Sequence, residues 1–397
     1  KRTNRELNMH KIRTYNAISS KGLSRFSADK YEVGSELSDP QGFILRSQKL
    51  HEEQVPESLL AVARAGAGVN NVPVADYTDQ GIVVFNTPGA NANAVKELIV
   101  AGLLLGSRDI YGGMNYVQGL THMDDAGEMG KLLEKEKKRF AGSEITGKTL
   151  GVVGLGAIGS IIANLALDLG MDVIGYDPAI SVEAAWQLSS QVERMDSLEA
   201  LLAKSDFVTL HVPAIPATKH LINSKTLSGM KSTAKILNFA REEIVSTEDM
   251  VKALDNGVIA GYICDFPTPE FLGKANILAM PHIGASTAEA EENCAVMAAN
   301  QLMDYIENGN IHNSVNFPPT KLTRNGGSRL TFANQNVPKV LGSVLSILAD
   351  FELNVVDMVN KSRNEVAYNI IDVEGDISAA MLQKVEQVEG VIRVRAI

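Results

Sequence analysis

The chain has 397 residues, 45% of them hydrophobic, enough apolar material for two or three domains with cores of their own. A net charge of −10 and a pI near 5.3 exclude a general nucleic-acid binder and require that an anionic substrate be met by local Arg or Lys. With Cys264 and Cys294 as its only cysteines and no run of about 18 apolar residues, the sequence carries no disulfide framework and no expected membrane span, and it points to the cytoplasm.

Residues 1–8 lead into no apolar core and do not read as a secretory signal; Met9 is a candidate internal start, with residues 1–8 then an extension. From 10 to 90, short apolar runs alternate with helix-like stretches. Gly42–Leu45 reads as a strand ending at Arg46, Leu59–Arg64 runs into the glycine-rich 65–70, and Gly81–Phe85 reads as another strand. This β/α alternation predicts a small parallel sheet. Asn93 is expected to cap an apolar helix from Ala94 to about Ser107. The charged stretch 123–139 reads as a solvated helix face with i,i+4 pairs.

The most informative stretch is Gly151-Val-Val-Gly-Leu-Gly-Ala-Ile-Gly-Ser160. Gly154, Gly156 and Gly159 have G-x-G-x-x-G spacing, between a strand begun at Lys148–Leu150 and a helix over Ser160–Leu169. A second strand, Met171–Tyr176, ends at Asp177. The first glycine permits the tight turn, the second lets backbone N–H groups approach a pyrophosphate, and the third lets the helix lie close to the strand. Asp177 stands where a carboxylate accepts both ribose hydroxyls and repels a 2′-phosphate, so the expected cofactor is NAD.

Strand-like runs follow at 206–210, 234–238 and 259–264, then a helix from Ala288 to about Glu307. Phe317–Thr320 and Asn325–Ser328 read as a linker. Residues 329–397 read β-α-β-β-α-β, the ferredoxin-like order, in a unit small enough to gain from pairing with a second copy. Four residues past the turn suit 2-hydroxy acid chemistry: Arg241, Asp265, Glu270 and His282, all near expected strand ends. A His near neutrality can move the hydroxyl proton while hydride leaves carbon 2, a carboxylate beside it favours the imidazolium, and an Arg can hold a carboxylate. On spacing alone, Arg241 as a strand-end cap and Glu270 as a surface carboxylate remain open. No metal site is expected.

Gly154–Gly159, His211-Val-Pro213, Asn238-Phe-Ala-Arg241, Asp265 through Glu270 and Pro281-His-Ile-Gly284 together resemble the D-isomer-specific 2-hydroxyacid dehydrogenases. Arg64 through Asn71, Asn86–Gly89, Asn313–Asn316 and the C-terminal unit narrow the resemblance to the short, ACT-domain type of D-3-phosphoglycerate dehydrogenase, over nearly all of 10–397. The resemblance implies NAD-dependent oxidation of 3-phospho-D-glycerate to 3-phosphohydroxypyruvate, the first step of L-serine biosynthesis. The alternatives are another D-2-hydroxyacid dehydrogenase and a catalytically weak NAD-sensing regulatory protein.

By the same resemblance, 9–97 with 291–318 is a flavodoxin-like substrate domain, 98–290 a Rossmann-type doubly wound NAD domain, and 326–397 an ACT-like domain of regulation and dimerisation. His282 becomes the acid/base, Glu270 its partner, and Arg241 the group near carbon 2. Gly154, Gly156, Ala157, Ile158, Gly159, Asp177, His211, Val212, Pro213, Phe239, Ala240, Arg241, Asp265, His282, Gly284 and Ala285 line the dinucleotide. Ala67, Gly68 and Val69 offer N–H groups to the substrate carboxylate. Arg46 and Arg64 are the candidates for its phosphate, ahead of Lys49, Lys96 and Arg139. Asn336 and Asn354 are candidates for an L-serine effector across a homodimer or homotetramer, although Asn334 and Lys339 replace the His and Gly of serine-binding members. No nucleic-acid or membrane partner is implied. The sequence also departs from the family with Glu242 after Arg241 and with only 282 − 270 = 12 residues from Glu270 to His282.

Overall fold

Four- and five-residue runs of Val, Ile, Leu and Ala bounded by polar turns become parallel strands here, because a strand buried on both faces is apolar throughout rather than alternating. The computed structural model describes residues 9–397, so the reading of residues 1–8 lies outside the described residues. Two compact units result. One joins residues 9–91 to Ala288–Ile397; the other is Ala92–Thr287. The helix Ala92–Ser107 thus falls wholly in the second unit, whereas the sequence reading divides it at 97.

In the first unit, β1 (His10–Thr14), β2 (Tyr31–Gly34), β3 (Gly42–Leu45), β4 (Ala61–Arg64) and β5 (Val83–Phe85) form a parallel sheet in the order β2-β1-β3-β4-β5. That is the flavodoxin-like order. The 21-residue helix Ala288–Asn308 packs Ala298, Ala299, Leu302, Tyr305 and Ile306 into one core with Ile12, Ile44, Ala63 and Phe85.

In the second unit, β6 (Thr149–Val153), β7 (Asp172–Tyr176), β8 (Glu193–Arg194), β9 (Phe207–Leu210), β10 (Lys235–Asn238), β11 (Gly261–Cys264) and β12 (Ile277–Ala279) are again all parallel. The order is β12-β11-β10-β9-β6-β7-β8. Strand order reverses between β6 and β9, and a doubly wound sheet binds ligands at such a switch point, beyond the strand C-termini. Two local expectations need correction. Asn93 lies inside the helix rather than capping it: its amide donates to Glu97 Oε1 at 2.8 Å and its oxygen accepts from Lys96 Nζ. The charged stretch forms a helix, Ala126–Glu136, that tightens to a 3-10 turn at Lys137–Phe140. Its ion pairs, Glu134–Lys137 and Glu136–Arg139, are therefore i,i+3 rather than i,i+4.

The C-terminal sheet is antiparallel: β13 (Ser328–Gln335), β14 (Asn354–Arg363), β15 (Val366–Glu374) and β16 (Val391–Ala396), in the order β14-β15-β13-β16. With helices at Val340–Asp350 and Ala379–Glu386, it has the expected β-α-β-β-α-β succession. One face carries those helices over Phe332, Ile371 and Val373; the other places Ala333, Tyr368 and Ile370 in the core of the first sheet. Phe317–Thr320 is not a loose linker. Phe317 is fully buried, Asn316 Oδ1 accepts from Val84 N at 2.9 Å, and Ile311 bridges Thr320.

A buried ion pair fixes this junction. Arg329 meets Asp372 through two bonds, Nε to Oδ1 at 2.6 Å and Nη2 to Oδ2 at 2.7 Å, with both side chains out of solvent. Arg329 Nη1 also donates to Asn308 O at 2.8 Å, at the end of the long helix, and to Leu322 O at 3.0 Å. Removing one partner strands a charge. Arg329→Met is expected to cost about 3–5 kcal/mol of unfolding free energy in urea, and Arg329→Met with Asp372→Leu to recover most of it.

Candidate active site

The glycine turn is built as its spacing predicts. Gly154 takes φ +90°, and a Cβ there would lie 2.7 Å from His211 O. A Cβ on Gly159 would lie 1.9 Å from Gly154 O, so only glycine lets the helix Ala157–Asp168 rest on the turn. Gly156, at the N-cap, has nothing within 4 Å of the same position. A pyrophosphate can therefore approach the helix start at Gly156 without meeting other protein atoms. Ala157 and Ile158 follow in its first turn. Asp177, one residue past β7, accepts from Leu155 N at 2.8 Å through Oδ2 and from Ala179 N at 2.9 Å through Oδ1. Each oxygen keeps a lone pair for a ribose hydroxyl. The residues present fit NAD.

The remaining groups of this unit sit at the ends of β9 to β12. His211 follows β9, its Nε2 is 2.9 Å from Thr209 Oγ1, and burial pushes its pKa down to about 3, so it is neutral. Val212 is half-buried and Pro213 exposed beyond it. Asn238, Phe239, Ala240 and Arg241 form the turn after β10. Phe239 is buried against the helix Ala92–Ser107, and the half-buried Arg241 returns Nη1 to Ala240 O at 2.6 Å. Glu242 and Glu243 are exposed.

Asp265 follows β11 and is fully buried. Its Oδ2 accepts from Gly284 N at 3.1 Å, while Oδ1 is buried with no hydrogen-bond partner among the described residues. Burial raises its pKa, against the lowering effects of the Gly284 N–H and the nearby His282 charge. An orphaned buried carboxylate oxygen calls for a donor from outside the chain, and a nicotinamide carboxamide is one. His282 lies on the exposed loop after β12, and its ring packs on Phe266 with centroids 4.8 Å apart. Ala285 is half-buried beyond Gly284.

Among the described residues, no hydrogen bond or ion pair joins Glu270 to His282, against expectation. Glu270 is exposed in the 3-10 turn Pro269–Phe271, and its own backbone N–H and the Thr268 hydroxyl hold its carboxyl below the usual range. The shortened stretch to His282 leaves Phe266, not Glu270, against the imidazole. Phe266 and Asn238 are the residues the sequence reading missed; Asn238 had one signal, an amide as the last residue of an otherwise apolar strand.

In the first unit, Arg64 Nε donates to the backbone carbonyl of Arg46 at 3.0 Å, which ties the Arg64 side chain to the end of β3. Gly66 makes room for the guanidinium: a Cβ there would lie 2.0 Å from Arg64 Nη1. Arg46 Nη1 pairs with Glu291 at 2.6 Å, both partly exposed. Asn86 Nδ2 holds Ala67 O at 2.7 Å, and no hydrogen bond among the described residues uses the N–H groups of Ala67, Gly68 or Val69. Of the weaker candidates, Lys49 is exposed, Lys96 is spent on Asn93, and Arg139 on Glu136 and the rings of Tyr116 and Phe140. Asn336 and Asn354 mark opposite ends of β14. Asn336 bonds Asn364 O and Asn354 bonds Glu374, so about 30 Å of strand separates them within one chain. Lys339, where serine-binding members carry Gly, takes φ +77°, a conformation that favours glycine.

Gly156→Ala is expected to leave the melting temperature unchanged and weaken NAD binding about tenfold or more by titration, whereas Gly159→Ala is expected to lower the melting temperature itself. His211 has a folded pKa below its unfolded value, so its contribution is intact above about pH 6.5 and is lost as pH falls toward the lowered value. The stability of His211→Asn should accordingly fall less than the parent's between pH 6.5 and pH 4.

Residues 113–285 match the family model described as D-isomer specific 2-hydroxyacid dehydrogenase, NAD binding domain. A D-3-phosphoglycerate dehydrogenase of Haemophilus influenzae is 32% identical over 385 residues, 93% of this chain and 89% of that one. A D-3-phosphoglycerate dehydrogenase of Synechocystis is 39% identical over 271 residues, 67% of this chain; the match spans about half, 46%, of that longer relative. Among solved structures, NAD+-bound 3-phosphoglycerate dehydrogenase of Entamoeba histolytica aligns with a TM-score of 0.61 at 25% identity, over 79% of this chain and all of that one. With the NAD-binding turn and the strand-end residues in place, the chain belongs to the D-isomer-specific 2-hydroxyacid dehydrogenases, as an NAD-dependent enzyme of that family.

Proposed function

We propose that the chain oxidises 3-phospho-D-glycerate to 3-phosphohydroxypyruvate with NAD, the first step of L-serine biosynthesis. The relatives named for this reaction cover most of the chain. The single observation that carries the chemistry is the group of side chains at the C-terminal ends of β10, β11 and β12: Arg241, the orphaned Asp265 carboxylate and the ring-packed His282. NAD, when bound, accepts the hydride from carbon 2. His282 takes the hydroxyl proton in the oxidative direction and returns it in the reverse. Arg241 holds the carboxylate or polarises the carbon 2 oxygen. Asp265, through its unpartnered Oδ1, would hold the carboxamide of a bound NAD. Arg46 and Arg64 supply charge for the phosphate, and Ala67–Val69 supply N–H groups for the carboxylate.

The C-terminal sheet and helices are read as an ACT-like module, and the chain as a homodimer or homotetramer in the cytoplasm. Asn336 and Asn354 stand too far apart to hold one amino acid within a chain. An L-serine site would therefore use Asn336 of one copy and Asn354 of another.

Steady-state NADH formation with 3-phosphoglycerate, D-glycerate, D-lactate and 2-hydroxyglutarate tests the substrate assignment. The expected kcat/KM preference for the phosphorylated acid is about 100-fold or more, the worth of a charge-assisted anion site. Arg46→Ala should raise KM for 3-phosphoglycerate about tenfold and leave KM for D-glycerate unchanged. Equal kcat/KM for D-glycerate would move the chain to the dehydrogenases of unphosphorylated acids.

A further inference from the structure

Beneath the Arg241 turn lies a fully buried amide, Asn238, the last residue of β10. Its hydrogen-bonding groups are all engaged. Nδ2 donates to Arg241 O at 2.9 Å and to Tyr262 Oη at 3.2 Å; Oδ1 accepts from Ala240 N at 3.2 Å. The amide thus spans the turn it precedes, holding the residue on either side of the Ala240–Arg241 peptide. Tyr262 is buried on β11 and Cys264 two residues further along. Cys264 Sγ donates to Phe266 O at 3.8 Å. Two short chains result, one from the Asn238 amide to the Tyr262 hydroxyl and one from the Cys264 thiol to the carbonyl of the residue whose ring packs on His282. Such chains strengthen in a dry interior, and there each member lacks water as a substitute partner.

We propose that Asn238 is a positioning residue: its buried carboxamide, tied also to the Tyr262 hydroxyl on β11, fixes the backbone of the Arg241 turn. It touches neither substrate nor cofactor and acts through Arg241. The proposal rests on the reading of Arg241 as the substrate-binding arginine. Without the amide, the Ala240 N–H and the Arg241 carbonyl lose their shared partner and the guanidinium loses its fixed origin. A displacement of this kind costs about 10- to 100-fold in catalytic efficiency.

The test is a double-mutant cycle on the full chain with 3-phosphoglycerate and NAD. Asn238→Ala, Arg241→Ala and the double variant are compared by kcat/KM, with KM and kcat separated and folding checked by thermal melting. The expected result is a 10- to 100-fold loss for Asn238→Ala, seen chiefly in KM, and a double variant no worse than Arg241→Ala within about threefold, because the clamp has nothing left to position. Asn238→Asp, which keeps the acceptor for Ala240 N and loses the donor to Arg241 O, carries the same cycle if the alanine variant does not fold. Losses that multiply in the double variant overturn the proposal alone. Parental kcat/KM in Arg241→Ala overturns the reading of Arg241 and the proposal with it.

Discussion

The active unit depends on side chains as well as loop backbone to hold the ends of its parallel strands. A strand in the middle of a parallel sheet ends with backbone groups pointing beyond the sheet, where the next strand no longer satisfies them. Here Asp177 takes the Leu155 and Ala179 amides beyond β7, Asn238 takes the Ala240 amide and Arg241 carbonyl beyond β10, and Asp265 takes the Gly284 amide beyond β11. Each of these carboxylates and amides costs desolvation, which hydrogen bonds offset in Asp177 and Asn238. Asp265 is different: among the described residues its Oδ1 has no hydrogen-bond partner, and burial raises its pKa. A buried carboxylate oxygen left unmet at a strand end is what a preformed cofactor site looks like before the cofactor supplies the missing donor.

The C-terminal module follows a second rule. A unit of about 70 residues has little core of its own. Its sheet face is therefore buried in the core of the first sheet, and Arg329 neutralises Asp372 while taking the exposed carbonyl at the end of the Ala288–Asn308 helix. Arg393 reinforces the junction by donating to Leu59 O and Glu57 O. The module is thus part of the first unit's fold rather than a tethered appendage. Glu291, the partner of Arg46, stands in the first turn of that same helix.

Much of this was legible in the sequence, for physical reasons that can be named. The turn at 154–159 declared itself because three glycines serve three different contacts, and the structure shows a Cβ excluded at the first and third and open space at the second. The parallel strands were legible because burial on both faces makes a run wholly apolar. The junction was not: Phe317-Pro-Pro-Thr320 has a linker's composition, and only the tertiary fold buries its phenylalanine. Asn93 has the residue type of a cap but spends its amide on Glu97. The Glu270–His282 pair came from a family pattern whose loop is shorter here, and a register of five residues from Asp265 does not fix where a carboxylate points. Asn238 and Phe266 escaped because their roles are visible only as distances.

On the proposed function, His282, packed on Phe266 and with no bond to Glu270 among the described residues, moves the proton in an NAD-dependent oxidation. Single-turnover NADH formation at saturating 3-phosphoglycerate and NAD measures that step directly. His282→Ala is expected to lower the rate by about 100- to 10,000-fold with NAD still binding, and Glu270→Gln to stay within about tenfold of the parent. A His282→Ala chain at the parental rate, or a Glu270→Gln chain as slow as His282→Ala, would contradict it.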